Sequence, residues 1–392
     1  MTSFAPRERA AISALSASAI REIANGGMGR TDIDAFWFGE SDIPTPRFIV
    51  DAATRSLEAC ETFYSQNLGI PALREAIAAY GNGLRGGTIE PARIGVTGSG
   101  VSALMLAAQL VLSPGDRAVV VTPIWPNIAE IPKILGAEVI RFPLVVREGS
   151  WSLDVDRLIE TLDESVTLLV FNAPNNPTGF TLDAQSQKAL LTHCRRLGIW
   201  VLSDEVYERL VYTGARVAPG MSDHAEPEDR LILVNSFSKA WLMTGWRVGW
   251  LTLPAALAPA LEKIIEYNTS CVPVFVQKAA LAALTDPEGE AAVTGIVEAF
   301  GRSRALLMEG FARLGRIEAP DADGAMYSFF RVAGHDDDMA LAKTLLGTAG
   351  LGLAPGRAFG PEGKGWLRWC FAARPEKIAR GLDRLEGFLA RE

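Results

Sequence analysis

Histidine and cysteine are scarce in this chain. Three histidines (His193, His224, His335) and four cysteines (Cys60, Cys194, Cys271, Cys370) are scattered over 392 residues. No Cys-x-x-Cys pair occurs, so zinc-ligand spacing is missing and no metal is expected. Isolated thiols read as reduced rather than as a disulfide framework, which points to the cytoplasm. Long apolar runs are missing too. Stretches such as Val101–Leu112 fall short of the about 20 residues that cross a bilayer, and Met1–Arg9 is charged and lacks the apolar segment of a signal peptide. Positive charge is in deficit: 38 Lys and Arg face 46 Asp and Glu, a net charge of −8. That balance argues against nucleic acid or an anionic membrane as the main partner. There is no repeat, no low-complexity tract and no linker long enough to separate mobile modules.

What is present is a long, apolar-rich chain. At 392 residues it exceeds one ordinary core, so two domains are expected, and 48% hydrophobic with 21% charged residues is the balance of a soluble globular protein. An amphipathic helix is predicted over Ala10–Ala24, ended by Asn25-Gly26-Gly27. Phe36–Pro46 reads as a loop, and Pro71 opens a helix running to about Tyr80 before a glycine-rich turn. Short apolar runs then alternate with helical patterns: Ala118–Thr122, Val139–Phe142, Thr167–Asn172, Trp200–Ser203, Leu231–Asn235 and Val248–Leu253. Near-continuous apolar strands between helices predict an α/β fold with a mainly parallel sheet covered on both faces. This large domain is assigned residues 47–285. After Asp286-Pro287-Glu288-Gly289 a helix continues to about Leu314, and runs at Tyr327–Val332, Gly352–Ala354 and Trp366–Phe371 suggest a smaller α+β domain of residues 1–46 plus 286–392.

Chemistry-bearing residues follow the predicted strands, where open α/β sheets bind ligands. Ser236-Phe237-Ser238-Lys239, with Arg247 eight residues on, sets one amine beside two hydroxyls and a guanidinium. That set suits an aldehyde cofactor carrying a phosphate: the amine forms a Schiff base and the other groups hold the dianion. Thr97-Gly98-Ser99-Gly100-Val101 opens a helix, a natural anion site. Trp125 directly follows a strand and can stack on a planar ring. Asn175-Asn176-Pro177-Thr178-Gly179 is a turn at a strand end. Asp204 ends an apolar strand, where a buried carboxylate needs a cationic partner, and Tyr207 lies one turn on. Taken singly, a helix cap, a turn or core packing accounts for each of these.

In this order and spacing, the strings around Asn176, Asp204, Lys239 and Arg247 resemble those of the class I/II aminotransferases, pyridoxal-phosphate enzymes of fold type I. The resemblance runs from about Gly39 to Ala372. It implies a seven-stranded type of sheet and an enzyme that moves an amino group between an L-α-amino acid and a 2-oxo acid by a ping-pong mechanism, within amino acid metabolism. It implies pyridoxal 5′-phosphate as cofactor, bonded through Lys239, which then shuttles a proton. Ser99, Gly100, Val101, Ser236, Ser238 and Arg247 would meet the phosphate, and Trp125 the ring face. Asp204 would pair with the ring nitrogen, and Asn176 and Tyr207 with the phenolic oxygen. Arg368 would fork onto the substrate carboxylate, with Asn176 and the Gly39 backbone beside it. Tyr64 would reach a neighbouring subunit's phosphate, making a homodimer with shared sites.

The chain departs from the family at the side-chain end of the substrate. Where one subgroup has a lysine after the cradle glycines, this sequence has Val101, and Tyr267–Gln277 holds no Arg or Lys to serve as the other subgroup's arginine. Neither known device for a second carboxylate is expected, which leaves Arg21, Arg30 and Arg47 as substitutes. Tryptophans at Trp37, Trp125, Trp241, Trp246, Trp366 and Trp369 offer either an apolar pocket or core packing. Two rival readings share the scaffold. One is elimination chemistry of the C–S β-lyase or synthase type. The other is a non-catalytic sensor, against which stand the acidic charge and the little length before Gly39 for a DNA-binding module.

Overall fold

The computed structural model describes residues 7–391. The first part of Met1–Arg9, read above for its lack of an apolar run, lies outside the described residues. Seven strands form the main sheet: β1 (Ile94–Thr97), β2 (Arg117–Thr122), β3 (Glu138–Pro143), β4 (Val166–Asn172), β5 (Trp200–Asp204), β6 (Leu231–Ser236) and β7 (Gly249–Thr252). Their order is β1-β7-β6-β5-β4-β2-β3. The five strands from β6 to β3 run parallel, and β7 is antiparallel to both neighbours. The chain lays down β2 and β3 at one edge and then crosses back to β4. A crevice therefore opens at the carboxyl ends of β2, β4 and β5.

The unbroken apolar character of these strands has a direct cause. Alternate residues serve opposite faces, and both faces are covered. Ala118, Val120, Leu168, Val170 and Leu202 join the core on one side. Val119, Val121, Leu169, Phe171 and Val201 join the core on the other, continuous with Tyr327, Phe329 and Trp369 of a second sheet. That sheet is antiparallel, with strands β8 (Ile317–Glu318), β9 (Tyr327–Val332), β10 (Ala354–Pro355) and β11 (Leu367–Cys370) in the order β8-β9-β11-β10. The helix Gly289–Leu314 leads into it. Asp34–Ala35 pairs in parallel with Leu351–Gly352, so the N-terminal segment is stitched to the second sheet's surroundings.

Several expectations need adjustment. The single helix predicted over Ala10–Ala24 is two, Ala10–Ser13 and Ala19–Gly27. Ser18 is extended and its hydroxyl accepts from the Arg21 amide at 3.3 Å. A serine that caps a new helix competes with continuation of the old one. The helix from Pro71 runs to Arg85, past Gly81 and Gly83. Its last turn is held by ion pairs from Arg85 to Glu208 (2.7 Å) and Asp223 (3.0 Å), a tertiary stabilisation that local propensity does not register. Strand β1, four residues long and containing Gly95, had no sequence signal of its own. Neither did the hairpin Val145–Arg147 and Ser150–Ser152.

Candidate active site

A cavity of about 450 Å³ lies at the carboxyl end of the main sheet. Most of the residues singled out in the sequence line it: Gly39, Gly100, Val101, Trp125, Asn176, Asp204, Tyr207, Ser236, Ser238, Lys239, Arg247 and Arg368. Two do not. The Ser99 hydroxyl is turned to cap the helix Gly100–Val111, accepting from the Ser102 amide at 3.0 Å. Tyr64 is 91% exposed, away from this chain's cavity.

Strand ends place the groups. Asn172 and Asp204 are register partners on β4 and β5, and the Asn172 amide donates to the Asp204 carbonyl at 3.0 Å. The Asp204 carboxylate is buried and accepts one bond, from the Val206 amide at 3.3 Å; among the described residues it has no salt-bridge partner. Burial pushes its pKa up to about 7, opposed by the Val206 amide and by the charge of Lys239, which makes no ion pair with it. Where β6 ends, Ser236 and Ser238 face each other with oxygens 2.9 Å apart. Lys239 follows and donates to the Gly39 carbonyl at 2.7 Å, with its nitrogen 5.6 Å from the Tyr207 ring centre. Desolvation pulls the Lys239 amine down to about 8, further lowered by the charge of Arg368. Arg247 adopts the left-handed backbone region (φ 54°), an unfavourable setting for a side-chain-bearing residue. It donates to the Thr244 carbonyl at 2.6 Å and has no carboxylate partner among the described residues.

Gly249 makes this corner possible. A Cβ there would lie 2.7 Å from the Asn235 carbonyl oxygen and 2.8 Å from the Gly100 amide nitrogen, so only glycine lets β7 approach the Ser99-Gly100 turn.

Across the cavity, the buried Arg368 on β11 donates to the Asn176 side-chain oxygen at 2.9 Å and to the Trp37 carbonyl. Its Nε is buried without a hydrogen-bond partner among the described residues. The guanidinium stacks on Tyr327 (4.4 Å) and Phe359 (4.8 Å). Asn176 also reaches the Tyr207 hydroxyl at 3.4 Å. The Trp125 amide donates to the Asn176 carbonyl at 2.8 Å, which joins two of the predicted turns.

Sequence reasoning missed Tyr327. Its hydroxyl lies 2.7 Å from that of Tyr207, and a Cβ at Gly39 would collide with it. Nothing in the sequence marked this residue beyond its membership of a strand. Burial raises the pKa values of both phenols well above their usual range, so both stay protonated. Arg21 and Phe38, from the N-terminal segment, also line the cavity. Of the six tryptophans considered, Trp125 alone lines it; Trp37, Trp241, Trp366 and Trp369 are core residues, and Trp246 bonds to Thr45. Among the described residues the cavity wall therefore carries one indole, that of Trp125.

A family model described as aminotransferase class I and II matches residues 35–385. The aspartate aminotransferase of Pyrococcus horikoshii is 32% identical over 376 residues, covering 96% of this chain and 95% of that protein. The valine–pyruvate aminotransferase of Mycobacterium tuberculosis is 32% identical over 90% of this chain and 89% of its own length. The solved structure of the aspartate aminotransferase from Thermotoga maritima superposes with a TM-score of 0.90 at 31% identity, covering 98% of this chain and 100% of that one.

Proposed function

Because the chain belongs to the class I and II aminotransferases, an enzyme family that uses pyridoxal 5′-phosphate, we propose that its cavity holds this cofactor and works on an L-α-amino acid and a 2-oxo acid. One observation carries the reading: Asp204, a buried carboxylate with no cation paired to it among the described residues. An unpaired buried charge is costly, and a protonated pyridine nitrogen is the cation that fits. The remaining donors suit the same group. Ser236, Ser238, Arg247 and the Gly100–Val101 amides surround the place for a phosphate, Trp125 covers a ring face, and Asn176 and Tyr207 supply hydrogen bonds to a phenolic oxygen.

When bound, the cofactor supplies an aldehyde for amines and a ring that takes up electrons. The protein's own side chains do the rest. Lys239, with a pKa drawn down to about 8, is neutral often enough near pH 7 to take the proton from the substrate Cα. Arg368 grips the α-carboxylate with its fork and is itself aligned by Asn176 and Tyr327. Tyr327 holds the Tyr207 hydroxyl in place. Ser99 acts through the helix cap, orienting the first-turn amides.

The division into a large unit of residues 47–285 and a small unit of 1–46 plus 286–392 belongs to this reading. So does a homodimer in which Tyr64 completes the partner's phosphate site, supported by the exposed aromatics Phe63, Tyr64 and Tyr267. Four free thiols favour the cytoplasm. The names of the relatives, aspartate in one and valine with pyruvate in another, support an amino acid substrate without agreeing on its side chain.

The test is a single half-reaction. Purified enzyme with one amino acid and no 2-oxo acid should release one equivalent of the matching 2-oxo acid per subunit and no ammonia, and Lys239→Ala should release none. Continuous ammonia release would sink transamination in favour of elimination.

A further inference from the structure

We propose that Arg21 receives the side-chain carboxylate of a dicarboxylic amino acid or 2-oxo acid in this cavity, a substrate class that rests on the aminotransferase reading above. Among the described residues, four cationic side chains line the cavity: Arg21, Lys239, Arg247 and Arg368. Lys239 is the amine, Arg247 sits by the place for the phosphate, and Arg368 serves the α-carboxylate. The fourth has no such task. Among the described residues Arg21 has no carboxylate partner, and its guanidinium lies over the Phe38 ring, 4.6 Å from the centre. Stacking of this kind occupies the flat face and leaves the in-plane N–H edge for a bidentate carboxylate.

The other cations that the sequence left open are spent elsewhere. Arg30 pairs with Asp32 at 2.6 Å and Arg47 with Asp51 at 2.8 Å, and neither lines the cavity. The wall position after the cradle glycine is the uncharged Val101. Glu22, next to Arg21, is paired with Lys343 at 2.6 Å and does not neutralise it. Among the described residues, two carboxylates do line the cavity. Asp204 is at the ring end. Glu40 acts on Lys239, whose amine it helps to keep charged, and among the described residues it makes no ion pair with Arg21. Ser18 and Ile20, at the N-terminus of the helix Ala19–Gly27 that carries Arg21, and Asn127, at the start of the helix Pro126–Ile134, line the same cavity. Arg21 lies in the first turn of the helix that Ser18 caps.

The experiment compares wild type, Arg21→Ala and Arg21→Lys holoenzymes. The ratio of kcat/KM for aspartate over alanine should fall about 10- to 100-fold in Arg21→Ala, the range for losing a charged hydrogen bond, and recover in part in Arg21→Lys. Binding of the unreactive succinate, followed by tryptophan fluorescence, should weaken by a similar factor relative to the monoacid butanoate. A ratio that moves less than about twofold, or parallel weakening of succinate and butanoate, would overturn the assignment. If the wild type yields no 2-oxo acid from any amino acid, the aminotransferase reading fails, and the succinate–butanoate comparison still decides whether Arg21 binds a second carboxylate.

Discussion

Asp204 shows how a single residue carries a site. Its carboxyl sits near 3.8 in water and about 7 in the folded chain, so the sign of its effect on stability is set. The cost is absent below pH 3.8, grows between 3.8 and 7, and is full above 7. A shift of this size corresponds to about 4 kcal/mol. Cofactor-free Asp204→Asn should therefore be more stable than cofactor-free wild type at pH 8 by that order, and the gain should shrink as pH falls toward 4. Urea unfolding at several pH values measures it. With the cofactor bound the order should reverse, because the wild-type carboxylate then has its cation. A cofactor-free wild type as stable as the variant at pH 8 would remove the argument on which the cofactor assignment stands.

At the scale of elements, the site is made by strand ends and by the close approach of two backbones. Strands β4 and β5 deliver Asn172 and Asp204 at one level as register partners, and β6, parallel beside them with Val234 opposite Asp204, runs two residues further to Ser236. Strand β7 runs the other way and presses Gly249 against the Ser99-Gly100 turn. Gly249→Ala should cost about 1–3 kcal/mol through overpacking and should weaken pyridoxal 5′-phosphate binding together with thermal stability. Calorimetry and a cofactor titration read the two effects, and unchanged values of both would show that the corner has more room than its geometry indicates. The helix Pro71–Arg85 is the contrasting case. Its glycines favour an earlier end, and a buried ion-pair cluster of Arg85 with Glu205, Glu208 and Asp223 overrides them. Burial pushes the Glu205 carboxyl above its usual range even beside Arg85.

At the scale of the whole molecule, the two sheets share one continuous core, and the cavity at the carboxyl end of the main sheet is closed by Arg368 and Tyr327 of the second. Tyr64 is outside this arrangement, 91% exposed on the surface. If it completes a partner's site, mixing Lys239→Ala subunits with Tyr64→Ala subunits should restore activity above that of either variant alone. The mixed dimer then contains one site with both an intact lysine and an intact tyrosine. Activity assays after subunit exchange would show this, and no gain on mixing would place Tyr64 outside the reaction.

The strands and the strand-end motifs were legible from the sequence because their causes are local. A doubly buried strand must be apolar along its length, and a turn that presents amides or a buried carboxylate needs particular residues at fixed spacing. The mainly parallel α/β sheet was legible in this way; Asn176, Asp204, Ser236, Lys239 and Arg247 were singled out by an order and spacing that resemble the aminotransferases, since each taken alone also fitted a cap, a turn or core packing. Tyr327 and the role of the N-terminal segment were not legible. Tyr327 is one aromatic among many in apolar strands, and only the docking of β9 beside β5 and Gly39 sets its hydroxyl against Tyr207. Arg21, Arg30 and Arg47 are equivalent as letters. Folding separates them: two find carboxylates within a few residues of themselves, while the third is carried on a short capped helix to the wall of a cavity formed by residues far away in the chain. Long-range packing makes that choice, because the free energy of a charge depends on the partners and solvent around it.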